Sequence, residues 1–215
     1  MTHDTDGYPD FAWNDVYTGD GSDTTDPDPL LLAPADGLVP GRALDLGCGA
    51  GGNALALAER GWRVTAVDLA PRAVASTRAS ACARGLDHRV EVAVADSATW
   101  KPEDVYDFAV SSYALPPRGP DRAATLVCLA DALAPGGILA LGEWDEDACD
   151  WGRPGELATL DELTTAFTGL GLEILRAVHR PVPVHQHPGH EQEPGEDRAV
   201  IVVARKPRGT LETDG

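Results

Sequence analysis

The chain has 215 residues, of which 43% are hydrophobic, and this suits an α/β domain with a substantial core. Its 35 acidic residues outnumber 17 basic ones, and the net charge of −18 disfavours nucleic acids and anionic membranes as partners. The sequence has no long apolar run and no basic, apolar leader, so neither a membrane span nor a signal peptide is expected. The 4 cysteines are scattered without a C-x-x-C pair, which is typical of reduced thiols and predicts a cytoplasmic protein.

The chain is expected to form one domain with a loose segment at each end. Residues 1–10 are polar and acidic and are predicted to be disordered, residues 11–206 to form a single domain, and residues 207–215 to be a flexible tail. Trp13 and Tyr17 lie four residues apart, and on a helix they would share one face. This short helix is predicted either to cover a binding site as a lid or to staple the N-terminal segment onto the core.

Apolar strands and helix-forming runs alternate along the chain after residue 42. The first five strands are predicted at residues 43–46, 62–67, 89–95, 106–112 and 138–142. Two further strands, 172–179 and 198–205, are joined by a loop without a helix and are therefore most simply antiparallel. The sequence predicts an α/β fold with a doubly wound sheet of about seven strands. The sheet is mostly parallel, its last strand is antiparallel, and helices cover both faces.

Residues 42–52, R-A-L-D-L-G-C-G-A-G-G, mark a strand that ends in a glycine turn, and a helix-forming run follows from Asn53. Glycine is required where the backbone takes positive φ or approaches a ligand closely. Asp68 lies about 20 residues beyond the first glycine, near the end of the next strand, where a carboxylate can bind ribose hydroxyls. This pattern predicts a nucleoside-containing ligand, and by itself it fits NAD as well as other nucleosides.

Asp45 discriminates between these ligands, because it lies two residues before the first glycine of the turn. A carboxylate there would repel a pyrophosphate but would attract an ammonium or sulfonium group. S-adenosylmethionine (SAM) carries both cations and no phosphate, so the sequence favours SAM over NAD.

The glycine stretch, residues 45–51, resembles the first motif of class I SAM-dependent methyltransferases. Three further stretches resemble, in order, the second strand with its ribose-binding acid, the third-strand end that reads adenine, and the turn before strand five: residues 64–68, 95–97 and 133–139. Residues 13–17 and 58–62 look most like the tellurite-resistance and thiopurine methyltransferase-like enzymes. The resemblance implies a Rossmann-like fold and methyl transfer from SAM to a small molecule.

The resemblance also implies a set of residues that contact the cofactor: Tyr17, Asp45, Gly47, Cys48, Gly49, Asp68, Leu69, Asp96, Ser97 and Ser111. Asp45 would face the ammonium end of SAM, directly or through water, and Asp68 would take both ribose hydroxyls. Asp96 would accept from the adenine amine, although its position also suits a helix N-cap. Ser111 would border the transferred methyl, although strand-end hydrogen bonding would explain it too.

No catalytic residue can be assigned from the sequence, because methyl transfer from a sulfonium depends mostly on orientation. A base is needed only if the acceptor must lose a proton. The candidates follow the fourth and fifth strands and lie in the late loop: Tyr113, Glu143, His185 and His187. Trp144 and Trp151 are predicted either to wall an acceptor pocket or to pack under a long loop.

The His-rich segment 179–191 carries His179, His185, His187, His190 and Glu191, which are enough ligands for a metal ion. The loop is also Pro-rich and polar and lacks the rigid support that metal sites need, so no metal is predicted. The loop either contributes to the acceptor site or is solvated. Two other functions are weighed against methyl transfer: an NAD(P)-dependent oxidoreductase and a catalytically silent SAM-binding protein. The acceptor atom (S, O, N or a metalloid) is not determined, and a homodimer is left open.

Overall fold

The computed structural model describes residues 13–20, 23, 26–149, 155–181 and 198–209. The predicted disordered segment, residues 1–10, lies outside the described residues, as does most of the predicted tail. No helix within the described ranges is both long and apolar enough to cross a membrane.

The described residues form a seven-stranded sheet with the order β3-β2-β1-β4-β5-β7-β6. Its strands are β1 (Arg42–Leu46), β2 (Arg63–Asp68), β3 (Val90–Val94), β4 (Tyr106–Ser112), β5 (Leu133–Trp144), β6 (Glu173–Pro181) and β7 (Arg198–Arg205). Strands β1 to β5 pair in parallel, and β7 is antiparallel to both β5 and β6. The predicted fold class is therefore confirmed, including the antiparallel last strand.

The described residues contain five α-helices, of which the first precedes β1 and the other four connect strands: α1 (Pro29–Leu32), α2 (Gly52–Glu59), α3 (Pro71–Ala83), α4 (Pro120–Ala132) and α5 (Leu160–Gly169). Two 3₁₀ helices, Trp13–Val16 and Ala33–Gly37, lie before β1. Local sequence starts several of these helices. Asp28 caps α1 and Thr159 caps α5 through their side chains, and proline occupies the first turn of α1, α3 and α4.

The core has one apolar layer on each face of the sheet. Helices α1, α2 and α3 contribute to one layer, where Trp62 packs against Phe108 with ring centroids 5.9 Å apart. Helices α4 and α5 contribute to the other layer, where Leu129 and Phe167 are fully buried. Because both faces are covered, the strands are apolar on both sides, which is the pattern that predicted a parallel sheet.

Strand β5 is longer than predicted, because it begins at Leu133 rather than Ile138 and ends at Trp144. The turn-like residues Gly136 and Gly137 lie inside it, and Gly136 has φ +87°. The Gly136 amide donates to the Lys206 carbonyl at 2.8 Å, and the Lys206 amide donates to the Gly137 carbonyl at 2.9 Å. Pairing with the chain beyond β7 thus satisfies a backbone that the local sequence marks as a turn.

The strand order reverses between β1 and β4, which are neighbours in the sheet. In open α/β sheets, ligands bind in the crevice outside the carboxyl ends of the strands at such a switch point. The glycine turn follows β1, and the loop that begins at Tyr113 follows β4. The topology therefore brings these two segments to the edge where a ligand is expected.

Candidate functional site

The glycine turn is held against the end of β2. The amides of Gly47 and Cys48 both donate to the Val67 carbonyl, at 2.8 and 3.0 Å. Gly47 has φ +80°, and a Cβ there would lie 2.1 Å from the Cβ of Ala114. Only glycine fits this position, because the turn needs both the left-handed backbone and the close approach of the loop after β4.

Asp45 is buried beneath this turn, with 1% of its surface exposed. It pairs with Ala66 and Val110 in the sheet and lies on the face covered by α2. Neither of its carboxylate oxygens has a hydrogen-bond partner among the described residues. Burial raises the pKa of Asp45 to about 7, and the nearby amide of Ala54 on the first turn of α2, which does not reach hydrogen-bond geometry with either oxygen, offsets only part of that effect.

Asp68 closes β2 opposite the glycine turn. Its Oδ2 accepts the Gly49 amide at 2.8 Å, and its Oδ1 accepts the Ala70 amide at 2.8 Å. Each carboxylate oxygen has a second acceptor direction, so these bonds fix the side chain without using up its capacity. Leu69, the next residue, is 58% exposed and lies beside this carboxylate in the chain.

Tyr17 reaches the same turn from the N-terminal segment. A Cβ at Gly49 would lie 2.9 Å from the Tyr17 hydroxyl. The segment is tied to α3, because Asp23 accepts the amide of Thr18 at 3.0 Å and the hydroxyl of Ser76. Burial raises the pKa of Tyr17 to about 12, with Asp68 as the next contribution, so the phenol is neutral at physiological pH. Tyr17 therefore contacts the glycine turn, which fits either predicted role of this segment, the lid or the staple.

Asp96 and Ser97 follow β3, and both make local contacts. Asp96 is exposed and its Oδ1 accepts the Ala98 amide at 2.9 Å, which is the turn-capping arrangement weighed as its alternative. The Ser97 hydroxyl lies 2.9 Å from that of Thr125 on α4. An adenine contact by these residues stays a prediction.

Tyr113, directly after β4, and Trp144, the last residue of β5, lie together. Their ring centroids are 4.8 Å apart, in a tilted arrangement. Tyr113 has φ +53°, the one positive φ of a residue other than glycine in the described part of the chain. Backbone strain of this kind is retained where the surrounding structure fixes it, often at functional sites. The backbone turn at Tyr113 brings the next residue, Ala114, against Gly47.

Glu143, near the end of β5, holds the loop that follows β4. Its Oε1 accepts the amides of Ala114 and Leu115, both at 2.8 Å. The side chain is 6% exposed, and burial raises its pKa to about 7 against the opposing effect of the two amides and Arg122. Ser111 is also buried, paired with Leu141 on β5. Of the catalytic candidates, Glu143 is thus committed to backbone amides.

The late, histidine-rich loop falls largely outside the described ranges. His185 and His187, together with Trp151, His190 and Glu191, lie outside the described residues. His179, at the start of that loop in the sequence, lies on β6 with its Nδ1 2.8 Å from the buried Asp145 carboxylate. Among the residues that the structure describes, no group of three or more His, Cys, Asp or Glu side chains could hold a metal ion.

Two arginine side chains near the site, those of Arg180 and Arg122, were not predicted from the sequence. Arg180 on β6 forms an ion pair with Asp28 at 2.8 Å. The guanidinium of the buried Arg122 bonds to the carbonyls of Pro116 and Leu157, at 2.7 and 2.9 Å, and so joins the loops after β4 and β5. The Asp28-Pro29 pair is a helix-start signal that could have placed Asp28. No local signal marks its arginine partner 152 residues away.

Residues 43–137 match a family model described as a methyltransferase domain. Among curated proteins, the chain is 41% identical over 106 residues to trans-aconitate 2-methyltransferase of Streptomyces avermitilis, covering 47% of this chain and 38% of that protein. It is 36% identical over 132 residues to the enzyme of the same name from Methylobacterium radiotolerans, and the match covers 60% of this chain and 48% of that protein. The chain therefore spans less than half the length of these relatives.

The fold has a close counterpart among solved structures. TehB from Haemophilus influenzae superposes with a TM-score of 0.72 at 22% identity, covering 85% of this chain and 63% of that one. At this level of identity the likeness establishes the fold, and the chemistry has to be argued from the site.

Proposed function

We propose that this chain, whose residues 43–137 form a class I methyltransferase domain, transfers the methyl group of SAM to a small-molecule acceptor. The family match supports the predicted resemblance to SAM-dependent methyltransferases and the predicted cofactor, SAM. The activity of the whole protein is our inference, since the chain covers 38% and 48% of its two curated relatives.

The observation that carries the proposal is the buried, unpartnered carboxylate of Asp45 beneath the glycine turn. A buried charge without a partner is costly, and a cation bound nearby would relieve that cost. SAM supplies an ammonium and a sulfonium, whereas a dinucleotide would bring a pyrophosphate of the same sign as the carboxylate. The Asp45 carboxylate therefore fits SAM as the ligand, and an NAD(P)-dependent oxidoreductase is not favoured.

The residues around the turn have distinct roles in this proposal. Asp68, fixed by the Gly49 and Ala70 amides, would accept the ribose hydroxyls. Leu69 would lie against the adenine, and Tyr17 would cover the turn. When bound, SAM supplies an activated methyl group, so the chain needs only to hold and align the two reactants and to exclude water.

Glu143 acts in this proposal as a positioning residue rather than as a base. Its Oε1 is occupied by two backbone amides, which hold the loop that contacts Gly47. Ser111 supports β4 on the same buried face. Tyr113, His185 and His187 stay candidates for contact with the acceptor.

Calorimetric titration tests the cofactor assignment most directly. The chain is expected to bind S-adenosylhomocysteine and to show no comparable affinity for NADH. The reverse result would refute the proposal. A radiolabelled-methyl assay over thiols, phenols, amines, metalloid oxyanions and carboxylates, including trans-aconitate, then tests transfer. Binding of the cofactor without transfer to any acceptor would favour the silent binding protein.

Four further predictions about the molecule belong to this proposal. The net charge of −18 supports an enzyme that does not act on nucleic acids. We also propose a cytoplasmic location, a single domain over residues 11–206 and a homodimer. Size-exclusion chromatography with light scattering tests the last of them.

A further inference from the structure

Arg122, in the first turn of α4, is 2% exposed, and its guanidinium makes five hydrogen bonds, as many as it has N–H groups. One acceptor is a carboxylate, Glu162 Oε1, at 3.0 Å. The other four are backbone carbonyls, those of Pro116, Gly155, Glu156 and Leu157, at 2.7, 3.1, 2.7 and 2.9 Å.

The position of this arginine is unfavourable on two counts. A cation in the first turn of a helix meets the positive end of the helix dipole, and a buried guanidinium loses its hydration. Its one carboxylate partner is shared, because Arg118 Nη2 lies 2.7 Å from Glu162 Oε2. Since most of the bonds go to carbonyls, Arg122 holds backbone more than it forms an ion pair.

The four carbonyls belong to two segments at the carboxyl edge of the sheet. Pro116 lies in the loop that follows β4, and residues 155–157 lie between β5 and α5. Glu143 holds the loop after β4 as well, because its Oε1 accepts the amides of Ala114 and Leu115. A carboxylate thus takes two amides of this loop, and the guanidinium takes the carbonyl that comes next.

The loop held in this way carries the groups that adjoin the glycine turn. Tyr113 has φ +53° and its ring lies 4.8 Å from that of Trp144, and Ala114 fills the space that a Cβ at Gly47 would need. A residue other than glycine keeps a positive φ where the surrounding structure fixes it. The bonds of Arg122 are part of that surrounding structure.

We propose that Arg122 is a positioning residue for methyl transfer, which joins the loop after β4 to residues 155–157 and so keeps Tyr113 in place beside the glycine turn. The inference rests on the proposed function, which assigns this loop to the acceptor side. Displacement at an activated methyl group depends mostly on orientation, so a loosened loop should lower kcat and leave cofactor binding intact. The planar fork of arginine can bond to two segments at once, whereas the ammonium of lysine is a single point.

Hydrogen exchange followed by NMR on the full chain tests the junction at single amides. The Leu115 amide, bonded to Glu143, reports on the loop after β4, and the Ala158 amide, bonded to the Trp144 carbonyl, reports on the other segment. In Arg122→Met both amides should exchange at least about tenfold faster, because their neighbours lose hydrogen bonds to a charged group. The Gly47 amide, which donates to the Val67 carbonyl, should keep its wild-type rate.

The matched control is Arg118→Met. Arg118 is 46% exposed and bonds to Glu162 as Arg122 does, but its other side-chain partner is the carboxylate of Glu146. This variant should leave the exchange of both reporter amides within about twofold of the wild type. Wild-type exchange of either reporter amide in Arg122→Met overturns the junction, and so does an equal acceleration at Gly47.

Arg122→Lys decides if the methionine variant does not fold. It keeps a positive charge beside Glu162, but an ammonium cannot bond to both segments. At least one of the two reporter amides should therefore still exchange at least about tenfold faster than in the wild type. Protection of both amides, as in the wild type, overturns the proposal.

Binding and turnover separate positioning from a purely structural role. Arg122→Met should bind S-adenosylhomocysteine within about twofold of the wild type in calorimetry. With an acceptor found in the labelled-methyl assay, its kcat should fall at least about tenfold at an unchanged KM for SAM. Faster exchange with unchanged kcat overturns the positioning role. A wild type that does not bind S-adenosylhomocysteine refutes the proposed function instead, and the exchange rates still decide whether Arg122 joins the two segments.

Discussion

Asp45 and Glu143 are both buried carboxylates at the carboxyl edge of the sheet, and burial raises the pKa of each to about 7. They differ in their partners. Glu143 holds two amides of the loop after β4, whereas the oxygens of Asp45 hold none among the described residues. In the proposed function, Glu143 belongs to the acceptor half of the site, where its carboxylate is satisfied by backbone amides, and Asp45 belongs to the cofactor half, where its buried charge calls for a cationic ligand. Substitutions at four residues test this contrast.

Asp45→Asn is expected to have the largest effect on stability. Because the folded pKa lies above the ordinary 3.8, ionising Asp45 costs stability that is lost progressively above pH 3.8 and fully lost above about 7. The variant should raise the free energy of unfolding by roughly 2–4 kcal/mol at pH 8 and by less at pH 5. Denaturant titrations at the two pH values measure this, with the exposed Asp36→Asn as control. An equal gain at both pH values would contradict the assigned cause.

The same variant should bind S-adenosylhomocysteine more weakly, because it removes the carboxylate that attracts the ammonium group. Stability gained and affinity lost at one residue are the pattern of a functional site. Gain without loss would mean that Asp45 has no part in cofactor binding.

Asp68→Ala is expected to weaken SAM binding by roughly 1.5–3 kcal/mol, the range for hydrogen bonds to a charged group. Calorimetry on the variant and on Asp104→Ala, a carboxylate that pairs with Arg42 away from the turn, measures the difference. Unchanged affinity in the Asp68 variant would remove its ribose role.

Glu143→Ala should lower the free energy of unfolding by roughly 1–3 kcal/mol, since two amides lose their acceptor. If Glu143 positions the loop, kcat should fall while the affinity for S-adenosylhomocysteine stays the same. Glu143→Gln keeps a carbonyl for both amides and should restore kcat and stability. A Gln variant as inactive as the Ala variant would instead identify the carboxylate as a base.

His187→Ala should have the smallest effect in this series, with no change in cofactor affinity, because the late loop is predicted to serve the acceptor alone. Calorimetry with S-adenosylhomocysteine checks it. A loss of binding would move the late loop into the cofactor half of the site.

The cofactor half was predictable because its residues are close in sequence and its geometry is local. Positive φ at Gly47 and Gly49 and the strand-end position of Asp68 all follow from one strand-turn-helix-strand unit. Sequence reasoning also named Trp144 and Glu143 as candidates for the acceptor side, but it did not foresee the hydrogen bonds that Glu143 makes. The two amides that it binds lie 28 and 29 residues earlier in the chain, so only the packed sheet reveals them.

By itself, the sequence determined the alternation of strands and helices, the glycine turn and the preference of Asp45 for a cation, since each depends on spacing within a few residues or on charge. The tertiary structure decided which distant groups meet. Arg180 meets Asp28 across 152 residues because β6 and β7 fold back beside β5. Register between distant strands is a property of the assembled sheet, and no local pattern encodes it.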